Sequence, residues 1–177
     1  MEKLSAEQVI EYLGLEPLPI EGGYFKVSYT SSEKIPAAAL PSRYKTTRNM
    51  AGAIYFLETE EQFSAMHRLP TDELYYYHYG DPMEMLFLHP EGLGETRILG
   101  PDIAKGQEPQ ILAPMGCIHG SRPLPGGDFG FSLGSTSMAP GYDDTDVFFP
   151  QRVELVDAYP NFSAMIMALT RTEPINV

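Results

Sequence analysis

Apolar and polar residues change places along this chain on a short beat, and only its two ends carry a helical period. Near the start, Val9, Ile10 and Leu13 fall on one face of a single short helix. Ser5 precedes them, with Gln8 three residues on, the spacing of a capping box. Gly14 follows, suited to the left-handed residue that ends a helix, and Pro17 and Pro19 prevent continuation. Tyr24–Thr30 alternates and predicts a strand. Further strands are predicted over 51–57, 63–67, 73–79, 84–89, 95–99, 110–113 and 129–137, the last three each bounded by Gly or Pro. A spacing of about 8–12 residues between turns is the rhythm of an all-β barrel or sandwich. The last stretch turns helical again from about residue 152, with Val153, Val156, Phe162, Met165, Ile166 and Leu169 at helical spacing and Pro160 as an interruption. No repeat or boundary divides the chain, so a single domain over 1–177 is expected.

Composition supports this reading. Sixteen Gly and 16 Pro supply the turns, and 11 Tyr and 9 Phe suit half-buried strands. Charge narrows the partners. Twelve basic residues stand against 24 acidic ones, a formal charge of −12. Such a chain lacks the basic face that nucleic acid requires and is ill suited to an anionic membrane surface. No apolar run approaches the ~18 residues of a membrane span. One cysteine, Cys117, excludes an intrachain disulfide and suits a reducing compartment. The opening Met1-Glu2-Lys3-Leu4 has no signal-peptide pattern, so a cytoplasmic location is expected. One segment departs from the acidic whole: residues 31–50 carry Lys34, Arg43, Lys45 and Arg48 against Glu33 alone, a net charge of +3. The segment reads as a long surface loop. Folded over a pocket, it would favour a small anionic ligand such as a phosphorylated sugar.

The four histidines are His67, His78, His89 and His119, and two stand in recognisable surroundings. His67 is followed by Glu73 and, six residues further, by Gly80; Pro114-x-Gly116 leads to His119. These stretches resemble the two motifs of the cupin superfamily. Its second metal-binding histidine falls here on Leu69 or Arg68, and its closing Asn on Pro123. A wider similarity runs through Glu21-Gly22-Gly23-Tyr24-Phe25, Ala53-Ile54-Tyr55-Phe56-Leu57, His67-Arg68-Leu69, Asp72-Glu73, Gly80-Asp81-Pro82, Leu99-Gly100-Pro101 and Ala139-Pro140-Gly141-Tyr142. Together they resemble the Cupin_5 family (the domain of unknown function 985). The resemblance implies a double-stranded β-helix, a jelly-roll barrel, usually forming a homodimer and compared on fold with sugar epimerases.

The residues themselves suggest two chemistries. His67, Glu73 and His119 are a two-histidine, one-carboxylate set, able to hold Fe, Mn or Zn if strands of a rigid barrel bring them together. Without a metal, His67 paired with Tyr77 or Tyr75, beside Glu73, can move protons next to a carbonyl, as an epimerase or isomerase does. The alternative class is a non-catalytic cupin that binds a polar metabolite. Tyr24, Arg68, Asp72, Tyr75 and His119 are the candidate ligand contacts, with an Arg68–Asp72 ion pair as the plainer alternative. Strand alternation places Tyr75 and Tyr77 on the same side as Glu73. Cys117 reads as a buried, inert thiol.

Overall fold

The computed structural model describes residues 3–171. Helix α1 (Ala6–Leu13) begins as its sequence predicts. Ser5 Oγ accepts from the Gln8 amide, Gln8 Oε1 accepts from the Ser5 amide, and Gly14 closes the helix at φ 63°. The strands that follow are β1 (Glu16–Pro17), β2 (Tyr24–Thr30), β3 (Lys34–Ile35), β4 (Arg48–Asn49), β5 (Gly52–Thr59) and β6 (Ser64–Arg68). Then come β7 (Glu73–Gly80), β8 (Met83–Leu88), β9 (Gly94–Leu99), β10 (Gln110–Ala113), β11 (Ile118–Pro123) and β12 (Phe131–Met138). Helices α2 (Arg152–Ala158) and α3 (Ser163–Ala168) end the described chain. No helix among the described residues is long and apolar enough to cross a membrane.

Six strands form one sheet in the order β1-β2-β5-β12-β7-β10, and four form a second in the order β6-β11-β8-β9. All pairs of neighbouring strands run antiparallel. Inward side chains of both sheets meet in a core of Phe56, Tyr75, Met83, Met85, Phe87, Leu99 and Ile111. Two further clusters seal the outside. Met66, Leu86 and Leu88 turn outward from the second sheet and are covered by Leu155, Ile166 and Leu169 of the C-terminal helical segment. Val9 and Leu15, on and just after α1, pack with Leu57 and Phe131. Both faces of β8 are therefore buried, which explains its nearly unbroken apolar run.

Two expectations need correction. The strand β11 was absent from the pattern, because Gly120, Ser121, Arg122 and Pro123 neither alternate nor favour strands. Yet β11 pairs with both β6 and β8 and sits in the middle of its sheet. The segment 31–50 is also not a free basic loop. It contains the β3–β4 ribbon, and Arg48, only 2% exposed, is the largest fully buried side chain in the core. Its guanidinium lies 2.5 Å from Asp143 and 2.5 Å from Asp146. Arg43 Nε donates to the Pro70 carbonyl and Lys45 Nζ to the Ser42 carbonyl. One of the segment's four cations, Arg48, is thus spent on the protein's own acidic turn.

Candidate functional site

Between the sheets, beside the apolar core, lies a cavity of about 260 Å³. Its walls include Phe25, Val27, Ile54, Phe56, Leu69 and Met138; its polar lining includes Glu21, Glu58, Ser64, His67, Glu73, Tyr75 and Thr136. Strand irregularities decide which side chains reach it. Along β6 and β11, His67 is opposite His119, but Ser64 is opposite Ser121. Three steps on one strand match two on the other, so β6 carries a bulge, and both Ser64 and His67 face the cavity. The close approach at that point depends on Gly120: a Cβ there would sit 2.9 Å from the Ser64 carbonyl oxygen.

Beside the cavity the functional groups form a buried chain. His119 Nε2 lies 3.0 Å from Tyr75 Oη, which donates to Glu73 Oε2 at 3.0 Å. His119 Nε2 is also 3.3 Å from Glu73 Oε2. With the proton of His119 on Nε2, the chain runs from imidazole to phenol to carboxylate. The ring of His119 stacks on Phe87, with centroids 6.0 Å apart and planes at 18°. His67 lies beside it, ring centroids 4.4 Å apart. His67 Nδ1 is 2.8 Å from the Ala65 carbonyl oxygen, which fixes the proton there and leaves Nε2 as the nitrogen free to act.

Electrostatics separate the roles. Burial alone would push the Glu73 carboxyl up, but hydrogen bonding and charge from His119, with His67 and Thr136, outweigh it and hold the group below its ordinary value. Burial, and then the charge of His67, push His119 down, against the pull of Glu73. Burial and the nearby Glu73 raise Tyr75 well above the usual phenol range. At neutral pH these effects describe an ionised carboxylate, a neutral imidazole and a neutral phenol.

One atom each from His67, Glu73 and His119 lie within 4.8 Å of one another, all three residues buried. Two imidazoles and a carboxylate fit a divalent Fe, Mn or Zn ion with open positions. Where a fourth ligand would be expected, Leu69 presents an apolar wall.

The other predicted contacts are placed differently. Tyr77 faces the apolar core and donates to the Gly80 carbonyl at 2.6 Å, so Tyr75 alone of the two joins the histidines. The spacing explains this: two residues on, a strand has advanced about 7 Å. Arg68 is exposed and stacks 4.7 Å from the ring centroid of Phe148, and Asp72 accepts from the Met115 amide at 2.7 Å. These contacts replace the expected pairing of Arg68 with Asp72, and neither residue lines the cavity. Tyr24 sits at the cavity margin, packed into the cluster against Leu57. Cys117 is buried and its thiol is pushed up to about 11, mainly by burial.

Two cavity residues went unnoticed in the sequence. Glu58, 2% exposed, accepts from Ser121 Oγ at 2.7 Å through Oε1, while its Oε2 has no partner. Burial pushes its carboxyl up to about 8. Glu21 Oε1 accepts from Ser64 Oγ at 2.7 Å and lies 4.0 Å from His67 Nδ1. Their sequence signal was weak, a charge at a strand end and a charge before two glycines. Only the strand across the barrel makes Glu58 an interior group.

The fold has close counterparts. A hypothetical protein from Leishmania major is 30% identical, with a TM-score of 0.82, over 94% of this chain and 99% of that one. A Shewanella oneidensis protein known from an X-ray crystal structure is 35% identical, with a TM-score of 0.81, over 98% of this chain and all of that one. An oxalate decarboxylase variant from Bacillus subtilis is only 13% identical, with a TM-score of 0.51, over 89% of this chain and 38% of that one; it shares the barrel fold alone. No curated protein matches the chain. The profile described as Cupin superfamily (DUF985) matches residues 7–149. With its antiparallel barrel and its buried cluster of His67, Glu73 and His119 beside the cavity, the chain belongs to the Cupin_5 family of the cupin superfamily.

Proposed function

We propose that this cupin binds a small sugar-like or carbonyl metabolite in the cavity and moves a proton at the carbon next to the carbonyl, as an epimerase or isomerase. One observation carries this reading: the buried Tyr75–Glu73–His119 chain borders a ligand-sized cavity, beside a histidine whose Nε2 has no hydrogen-bond partner among the described residues. His67 Nε2 removes the proton as base. Tyr75 Oη, whose one proton goes to Glu73 in the free protein, turns it to the carbonyl oxygen as negative charge builds there, and His119 Nε2 then serves Glu73. The ionised Glu73 keeps the phenol oriented, and apolar walls at Phe56, Leu69 and Met138 limit water.

The test is deuterium uptake from D2O into D-xylulose, an open-chain ketose. The protein should catalyse exchange at the carbon beside the carbonyl. Tyr75→Phe, which keeps the packing, should slow it about 100-fold, the lower range for a positioned proton donor. An exchange rate equal to buffer, or an undiminished rate in Tyr75→Phe, would overturn the reading.

A second reading rests on the ligand set of His67, Glu73 and His119. A divalent ion there would polarise a bound oxygen as a Lewis acid. Elemental analysis of the purified protein, compared with His119→Ala, distinguishes the two.

A homodimer belongs to the same proposal. From residue 26 to 30, β2 has no partner strand on its outer edge among the described residues, while Val27 and Tyr29 are 55% and 54% exposed. A second copy covering this edge would remove an aggregation-prone feature and close one side of the cavity mouth. Light scattering should give twice the chain mass at micromolar concentration; a monomer would exclude this assembly.

A further inference from the structure

The cavity has a second polar cluster. Glu58 accepts from Ser121 and Glu73 lies against His119, two residues apart on β11, so the two carboxyls enter the cavity side by side from different strands. We propose that Glu58 Oε2 and Glu21 form a ligand-anchoring subsite that takes the hydroxyl or amine groups of uncharged or cationic small molecules and rejects anions.

The geometry supports this in three steps. Glu58 Oε1 is fixed by Ser121, so the carboxyl cannot swing away, and Oε2 is buried without a protein partner in a residue that lines the cavity. Buried polar atoms are almost always satisfied, and no described residue bonds to Oε2, so its partner comes from the cavity's contents. Glu21 lies on the same wall, and His67 stands between it and the Tyr75–Glu73–His119 chain.

Charge then selects the ligand class. Three carboxyls, Glu21, Glu58 and Glu73, line this small volume. Arg171, whose charge acts on Glu21 and Glu58, donates its hydrogens to the carbonyls of Glu21 and Phe63. Arg48 is paired with Asp143 and Asp146. A carboxylate or phosphate would meet the like charge of Glu73, whereas hydroxyls can donate to Glu21 and exchange hydrogen bonds with Glu58. The oxalate chemistry named for distant barrels of this fold is therefore the wrong charge for this cavity.

The proposal rests on the cavity being the ligand site, as above, and not on the reaction carried out there. Calorimetric titration with D-xylulose and with D-xylonate, a neutral and an anionic probe on the same five-carbon skeleton, tests it. D-Xylulose should bind at least about tenfold more tightly. Glu58→Leu, similar in volume, should abolish that binding. Glu58→Gln, which keeps a donor and an acceptor, should hold it within about threefold. Equal or tighter binding of D-xylonate, unchanged affinity in Glu58→Leu, or no binding of D-xylulose overturns the subsite. Binding that follows this pattern without deuterium exchange would remove the proton-transfer reading and leave the subsite standing.

Discussion

Replacing Arg48 with methionine should lower the unfolding free energy by about 3–5 kcal/mol, the usual cost of removing one partner from a buried ion pair. The side chain is 1% exposed and joins two carboxylates that lie far along the chain, in the turn at Asp143 and Asp146. Burial raises the Asp146 carboxyl, against the pull of Arg48, and one of its oxygens already lacks a partner. Without the guanidinium, two acids remain beside each other with no cation, in a partly buried site. The loss would come from those acids more than from the missing contact. A triple variant, Arg48→Met with Asp143→Asn and Asp146→Asn, should therefore recover most of the stability, because it leaves no charge uncompensated. Urea unfolding at neutral pH measures both. A cost under about 1 kcal/mol for Arg48→Met, or no recovery in the triple variant, would mean that the ion pair is not what holds the β3–β4 ribbon to this turn. The consequence reaches the site, because Asn49, Ala51, Gly141 and Tyr142, next to these anchors, line the cavity mouth.

Arg48 also illustrates where sequence reading fails. Counting charges in 31–50 reports a basic segment, but the acids that neutralise it lie nearly a hundred residues away, and no local pattern links them. Features governed by local rules were legible. The capping box at Ser5, the glycine stop at Gly14 and the alternation of β2 follow from short-range sterics and hydrogen bonding. The resemblance of the stretches from His67 to Gly80 and from Pro114 to His119 to the two cupin motifs singled out three side chains that the barrel brings within 4.8 Å. Tyr75 was legible from strand alternation. Tyr77 was not separable from it, because alternation fixes a face and says nothing of position along the strand. The bulge in β6, the central strand β11 and the burial of Glu58 are all tertiary facts, decided by which backbone lies opposite.

The burial of Glu58 should appear as an unusual pH dependence of stability. Its carboxyl is pushed up to about 8 by burial, helped by the charge of Glu21 and opposed by the Ser121 hydrogen bond and by Arg171; the ordinary value is 4.5. Between these limits the folded protein holds a proton that the unfolded chain has released. Stability from this group is thus fully present below about pH 4.5 and falls as pH rises, until it is lost above about pH 8. At 1.36 kcal/mol per unit, the whole window amounts to roughly 3–5 kcal/mol. Glu58→Gln cannot ionise and keeps the shape, so it should overtake the wild type in stability as pH rises. Urea midpoints at about pH 5.5, 7 and 8.5 should diverge steadily, with the variant the more stable at the top. Parallel profiles would show that Glu58 is ionised throughout and that its burial is compensated in some other way. Glu73 provides the control of opposite sign. Its carboxyl is held below the ordinary value despite burial, so its contribution is present above that value and is lost only as pH falls beneath it. Below about pH 4.5 the profile should therefore be the same in Glu58→Gln as in the wild type, and the two should separate only above it. One cavity then holds two buried glutamates with opposite protonation at neutral pH. Glu73 is ionised because histidines surround it, and Glu58 is neutral because only a serine hydroxyl reaches it.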